Sequence, residues 1–381
     1  VKKIITLKNV KHGNVTLRSL PVVVDDLGTV VLLPLLYSIH VSRNLSHFEL
    51  ITEVTKTSTE TLLRPRSLSE STFFNSYIPK LRQFLDYVVE EYGETEMHRL
   101  YRLSANQVNA YINDYLSYRL QLNSLKTHKA AITSFFNFLS YLGVTPPRRL
   151  YVTGEARARA LNNREKSKFN YVSSDIRKKM VYTCDNLRDK LILKMGYEVG
   201  LRAKELRGIL IEPIKKLFSK MAVNEAKNEF SYYLPGKYTK GGKGRDIFFS
   251  RVLLEQMKDY FDKERIARDG VESFFTSMSK KSIGMPISAR LGSDVFSKYL
   301  IKIEEKETGL SFQDLRHTFA TELYHTELLD HATRENRSES AALLTVAERL
   351  GHAINKKDGL PGNVTKKYVR LRMKMLELEG F

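Results

Sequence analysis

Two hydrophobic rhythms divide the chain. Near the N-terminus, the short β-branched runs "KKIITLKNV", "GNVTLRSLPVVV" and "GTVVLLPLLYSIHV" are broken by Gly13 and "DDLG", the punctuation expected of strands and turns. These strands form either a small β-rich extension over 1–63 or an added part of the next domain's core. From "RPRSLSE" onward the apolar positions take helical spacing. Ser67 and Glu70 stand at capping-box distance, and the following helix should run to Gly93 with a kink or split at Pro79. Ser104 is expected to cap "SANQVNAYINDYLSYR". In "SLKTHKAAITSFFNFLSYLG", Ile132, Phe135, Leu139 and Leu142 share one face and Gly143 ends the pattern. That face is core, so any function belongs to the opposite, basic face, which includes Lys129.

The rhythm lapses in "TPPRRLYVTGEARARALNNREKSKFN". This predicts a helical domain over 64–150, a basic linker over 151–170 and a second domain over 171–381. Arg148, Arg149, Arg157 and Arg159 either solvate the linker or lie along a nucleic-acid backbone. Beyond it the chain is mainly helical, with one alternating exception. "EFSYYLPGKYTKGGKGRDIFFS" reads as a β-hairpin whose tip carries Lys240, Lys243 and Arg245. Its glycines match neither the phosphate-loop nor the dinucleotide spacing.

Charge then narrows the class. The 381 residues carry a net charge of +19 spread along the whole length, which points to a polyanionic partner. A hydrophobic content of 42% with 10% aromatics excludes a disordered basic tail. A single cysteine, Cys184, permits neither an internal disulfide nor a cysteine zinc site, in keeping with a reducing cytoplasm. No apolar run reaches membrane-helix length, and no signal-peptide pattern is present, so no membrane partner is expected.

Four polar residues suited to phosphate chemistry interrupt the second half's apolar helices: Arg202, Arg316, His352 and Tyr368. They sit within "GLRAKEL", "DLRHTFAT", "RLGH" and "TKKY", with "TKGGKGR" between the first two. In this order the five motifs resemble the catalytic domain of tyrosine site-specific recombinases, and the helical part before the linker resembles their core-binding domain. A tyrosine hydroxyl can cut a phosphodiester reversibly without metal or ATP, because the bond energy is kept in a covalent ester. Two guanidiniums, here Arg202 and Arg316, can clamp the charge that gathers on the non-bridging oxygens. A lysine at a mobile hairpin tip, Lys240 by preference, can protonate the leaving 5′-oxygen.

The resemblance implies more than the residues alone. It makes the fold mainly α and multi-domain, with a helical, SAM-like core-binding domain and a mixed, mostly helical catalytic domain that holds a small hairpin. It has His352 donating to a non-bridging oxygen, Glu205 orienting the site and His317 supporting the helix beneath Arg316; for Glu205 an ordinary i,i+3 ion pair remains equally open. His325 and His331 lack metal-ligand spacing, and no cofactor is expected. It further implies a double-stranded DNA substrate at attachment sites, a homo-tetramer linked by its C-terminal tail, possible accessory DNA-bending proteins and a cytoplasmic, nucleoid-associated setting. A type IB topoisomerase and a non-catalytic DNA-binding protein are the competing readings. Two departures stand out: Gln313 occupies a position usually held by His or Lys, and the segments on either side of His352 are long.

Overall fold

The computed structural model describes residues 3–54, 59–163, 170–240, 242–330, 335–336, 338–352, 354–355, 359, 361 and 367–380. The chain divides into two units, Val1–Ser167 and Lys168–Phe381.

In the first unit, Lys3–His12 and Val15–Val24 pair antiparallel, turning at Gly13 with a φ of 58°. The apolar run that follows was expected to be a strand but forms helix Leu32–Asn44. A continuous apolar run carries no period, and Pro34 falls in the first turn, where a missing N–H costs nothing. A second hairpin, Ser46–Val54 with Thr59–Ser67, comes next. Ser67 is therefore the end of a strand, and the helix cap is Ser69, whose Oγ accepts from the Thr72 N–H at 3.1 Å.

The expected kink or split at Pro79 is replaced by a change of pitch, because the helical backbone continues unbroken from Thr72 through Ile78. A π-helical turn, Phe73–Tyr77, precedes helix Ile78–Tyr92, in which Pro79 sits in the first turn. Ser104 forms a full capping box with Gln107. Helix Leu122–Tyr141 buries Ile132, Phe135 and Leu139, while Leu142 lies just past its end and is 44% exposed.

The N-terminal segment belongs to this unit's core. Val23, Val31, Tyr37, Val41 and Phe48 share one cluster with Phe84 and Phe135. The Tyr37 and Ser134 hydroxyls lie 2.6 Å apart, and Asn137 Nδ2 donates to the Phe48 carbonyl at 2.9 Å. The stretch read as a linker also contains structure. Helix Gly154–Asn162, capped by Thr153, buries Ala156 and Ala160 against the same unit.

The second unit is mainly helical, with an antiparallel hairpin, Glu229–Leu234 with Arg245–Ser250, and a short antiparallel pair, Leu329–Asp330 with Glu335–Asn336, among the described residues. Its main core gathers Leu191, Phe230, Phe249, Met257, Tyr299 and Leu315. A smaller cluster unites Ala320 and Tyr324 of helix Phe312–Leu328, Val346 and Leu350 of helix Glu339–Leu350, and Tyr368 and Leu371 of the tail helix Lys367–Glu379. This second cluster positions the functional side chains. Among the described residues, every sheet is two-stranded and antiparallel, and no helix is long and apolar enough to cross a membrane.

Candidate active site

Glu205 is the hub of the site. It sits in the 3-10 turn Ala203–Gly208 and has no exposed surface. Its carboxylate accepts from the Arg202 N–H at 3.0 Å and from Arg202 Nη1 at 2.8 Å. Arg245 reaches it from the hairpin through Nη1 at 3.2 Å and Nη2 at 2.8 Å. Arg316 Nη1 lies 3.6 Å away. Burial alone would raise this carboxyl's pKa, but Arg245 first, then Arg316 and the Arg202 backbone, bring it down to about 2. The residue is thus both the i,i+3 partner of Arg202 and an organiser of three guanidiniums.

Arg316 is fully buried on helix Phe312–Leu328. Nη1 donates to the Gly200 carbonyl and Nη2 to the Leu350 carbonyl at 2.7 Å. These bonds tie the turn before Arg202 to the turn before His352. Gly200 holds a φ of 73°, and a Cβ there would stand 2.5 Å from the Phe319 ring, so the close approach requires glycine. Burial, followed by the charge of Arg202, lowers the Arg316 pKa to about 9, which still leaves it charged at neutral pH.

Tyr368 is 1% exposed. Its ring lies 6.3 Å from the His352 ring at an interplanar angle of 12°, and 5.9 Å from that of His317. Burial raises the phenol above its usual range, and Arg316 and Arg202 act in the opposite direction. Burial and then the Arg316 charge push His352 down to about 4 and His317 to about 3, so both imidazoles are neutral at pH 7. Gly351 ends helix Glu339–Leu350 with a φ of 64°, packed where a Cβ would meet the Arg245 stem at 2.8 Å. Arg245 therefore touches both the hub and the turn that presents His352.

The structure thus brings Arg202, Glu205, Arg316, His352 and Tyr368 together and adds Arg245. Lys240 and Lys243 stand exposed on the loop that closes the hairpin, and Gln313 is exposed in the first turn of the Arg316 helix. Thr239 shapes the hairpin loop, its hydroxyl bonding the carbonyls of Gly236 at 2.9 Å and Lys243 at 2.6 Å.

Three basic residues expected on nucleic acid turn inward instead. Arg245 is committed to Glu205. Arg148 is buried, donates to the Tyr101 carbonyl at 2.9 Å and lies over the Phe136 ring. Arg159 bonds Ser117 Oγ at 3.0 Å and the Asn113 carbonyl at 2.8 Å. Each exchanges water for protein acceptors, which leaves it few donors for a phosphate. Arg149 and Arg157 are exposed, and Lys129 is half-buried. The inward turn of Arg245 follows from strand alternation, since residues 245, 247 and 249 share the inner face and Ile247 and Phe249 are buried.

The tail helix packs within its own chain. Leu371 and Met375 are buried, while Leu378 is 51% exposed. Glu379 accepts from the Ser174 N–H at 2.7 Å, Ser174 Oγ at 2.6 Å and Tyr171 Oη at 3.1 Å. On the same helix, Arg372 Nε lies 3.0 Å from His325 Nδ1. His331 lies outside the described residues. Among the described residues, no group of three or more His, Cys, Asp or Glu is placed to hold a metal ion.

Residues 171–334 match the phage integrase family. Tyrosine recombinase XerA of Pyrococcus horikoshii is 28% identical over 209 residues, covering 52% of this chain and 58% of the relative. Transposase A from transposon Tn554 of Staphylococcus aureus is 28% identical over 249 residues, covering 58% and 60%. These two matches thus span less than two thirds of either relative's length. A tyrosine recombinase of Pseudothermotoga lettingae is 25% identical over 306 residues and is covered to 94% of its length by 77% of this chain. The fold is that of the XerH site-specific recombinase bound to a palindromic difH substrate in a post-cleavage complex. That alignment has a TM-score of 0.54 at 16% identity, over 80% of this chain and 77% of the other.

Proposed function

We propose that this chain, which belongs to the tyrosine site-specific recombinase family, exchanges DNA strands through a covalent 3′-phosphotyrosyl intermediate and a Holliday junction. The observation that carries this reading is the cluster in which one buried carboxylate gathers Arg202, Arg245 and Arg316, with Tyr368 near enough for Arg316 and Arg202 to act on its phenol.

In the proposed step, Tyr368 Oη attacks phosphorus as its phenolic proton passes to water or to the neutral His352 imidazole. The bond from phosphorus to the 5′-oxygen breaks, and Lys240 supplies the proton that leaves with that oxygen. Arg202 and Arg316 stabilise the charge on the non-bridging oxygens, and the second nitrogen of His352 donates there as well. Because Tyr368 is buried, a shift of helix Lys367–Glu379 accompanies entry of the phosphate. Attack by the 5′-hydroxyl of a second strand on the phosphotyrosine reverses the step and completes the exchange. No hydrolysis and no external energy source are involved.

The likeness to a transposase supports a role in integrating and excising a mobile element. The partner is double-stranded DNA, and the working assembly is a tetramer on paired sites. Within that assembly the tail helix trades its contact with its own chain for one with a neighbour.

A duplex nicked next to the scissile phosphate tests this reading, because loss of the short leaving fragment traps the adduct. The expected result is covalent capture, followed by joining of two distinct duplexes on an intact substrate. Capture with relaxation but no joining would identify a topoisomerase. Binding with no capture would identify a non-catalytic DNA-binding protein.

A further inference from the structure

A half-open groove of about 660 Å³ on the first unit runs along helix Leu122–Tyr141, and the cleavage chemistry makes no use of it. Its volume falls within the roughly 300–1,000 Å³ of small-ligand sites. The helix supplies one stripe, Lys126, Lys129, Ala130, Thr133 and Asn137, at the spacing that keeps side chains on a single face.

The groove has two chemically different ends. At one end, Asn137 is 1% exposed and fixed by its Nδ2 bond to the Phe48 carbonyl, yet its Oδ1 has no partner. Thr133 Oγ1 and His47 Nδ1 are likewise buried without partners, and all three residues line the same groove. A buried polar group left unmade costs about 1–3 kcal/mol, so three in one groove mark a place where a ligand's polar edge fits. Lys126 and Lys129 stand nearer the helix start, and Arg157 of helix Gly154–Asn162 lines the same groove. The one carboxylate among the lining residues, Glu49, is already paired with Arg66 at 2.8 Å. Tyr77 and Tyr151 add aromatic surface to the walls. A groove filled only with water would use neither the rings nor the cations Lys126, Lys129 and Arg157.

We infer that this groove holds one nucleotide, with its base edge toward Asn137, Thr133 and His47 and its phosphate toward Lys126, Lys129 and Arg157. The nucleotide is either an unstacked residue of a bound strand or a free mononucleotide, since both present the same chemistry. The inference goes beyond the strand-exchange reading and does not rest on it.

The test titrates the full chain with dAMP, dCMP, dGMP and TMP in turn, then with a short mixed-sequence single strand, by calorimetry. The same titrations are run on Ala130→Phe, which fills the groove from an exposed helical position, and on Thr133→Val, which keeps shape but removes one hydroxyl. The expected result is binding that weakens by about tenfold or more in Ala130→Phe, a loss of about 1.4 kcal/mol, with a smaller loss in Thr133→Val. Mononucleotide binding lost in this way identifies a free nucleotide, and loss confined to the strand identifies a nucleotide of the DNA. If Ala130→Phe is unfolded by circular dichroism, Thr133→Val carries the test. Equal binding by the wild-type and filled-groove chains, no binding of any probe, or competition by inorganic phosphate at the nucleotide's own affinity would overturn the inference. Covalent capture on a nicked duplex, measured on the same preparations, shows separately whether the strand-exchange reading stands.

Discussion

Arg245 holds both oxygens of the Glu205 carboxylate, at 3.2 Å and 2.8 Å, so a strand of the lysine-tipped hairpin is tied directly to the hub of the arginine cluster. Arg202 also holds both oxygens, through its backbone N–H and Nη1, so the carboxylate is fixed from two elements. With Arg245 in place it faces both Arg202 and Arg316.

Arg245→Met should therefore slow single-turnover cleavage by about tenfold to a hundredfold, the cost of misplacing groups that act together, while half-site affinity stays near wild type. Arg245→Lys should recover part of the rate, because it restores the charge but not the two-pronged geometry. Equal losses in affinity and rate would instead make Arg245 a DNA contact. Glu205→Ala should lower stability by about 3–5 kcal/mol in chemical denaturation, since it leaves buried guanidiniums facing one another.

Arg202→Ala and Arg316→Ala should each reduce the cleavage rate by about a hundredfold or more, the scale of losing a fixed transition-state donor. Arg316→Ala should also unfold at lower temperature, because the Gly200 and Leu350 carbonyls lose their partner. Arg202 is partly exposed, so its variant should be nearly as stable as wild type. Quench-flow cleavage combined with thermal melts separates the two effects.

The histidines set the pH response. His352 is held neutral down to about pH 4 and His317 to about pH 3, so cleavage should show no break near 6.5, the ordinary histidine value. It should instead rise toward alkaline pH, where the raised phenol of Tyr368 begins to ionise. Stability behaves oppositely to that of a paired histidine. Between pH 6.5 and about 4 the unfolded chain binds protons that the folded chain refuses, so the melting temperature should fall as pH drops through that window. A cleavage profile that titrates near 6.5 would show a solvated His352.

Lys240→Ala should slow cleavage of a normal phosphodiester yet be largely rescued by a 5′-bridging sulfur, whose departure needs no proton. Absence of rescue would shift the acid role to Lys243 on the same exposed loop.

The clustered residues Arg202, Arg316, His352 and Tyr368 were legible in the sequence because each breaks an apolar helical pattern inside a recognisable motif. Arg245 was not, because it closes a lysine- and glycine-rich stretch that reads as a solvated tip; only its parity with Ile247 and Phe249 marks it as inward-facing. Helix Leu32–Asn44 was hidden for a different reason, as its nearly unbroken apolar start fits a strand equally well. Helix Gly154–Asn162 escaped notice because it buries only Ala156 and Ala160 and anchors itself through Arg159 and Asn163 to backbone carbonyls of the same unit. Contacts of that kind leave no hydrophobic period to read.

The central claim is that Tyr368 forms the bond to DNA. The most direct test traps the adduct on a nicked duplex, digests it with protease and nuclease, and locates the nucleotide-bearing peptide by mass spectrometry. The account predicts a single modified peptide containing Tyr368, and no adduct from Tyr368→Phe even though that variant binds the same duplex. An adduct on any other residue, or one that persists in Tyr368→Phe, would contradict it.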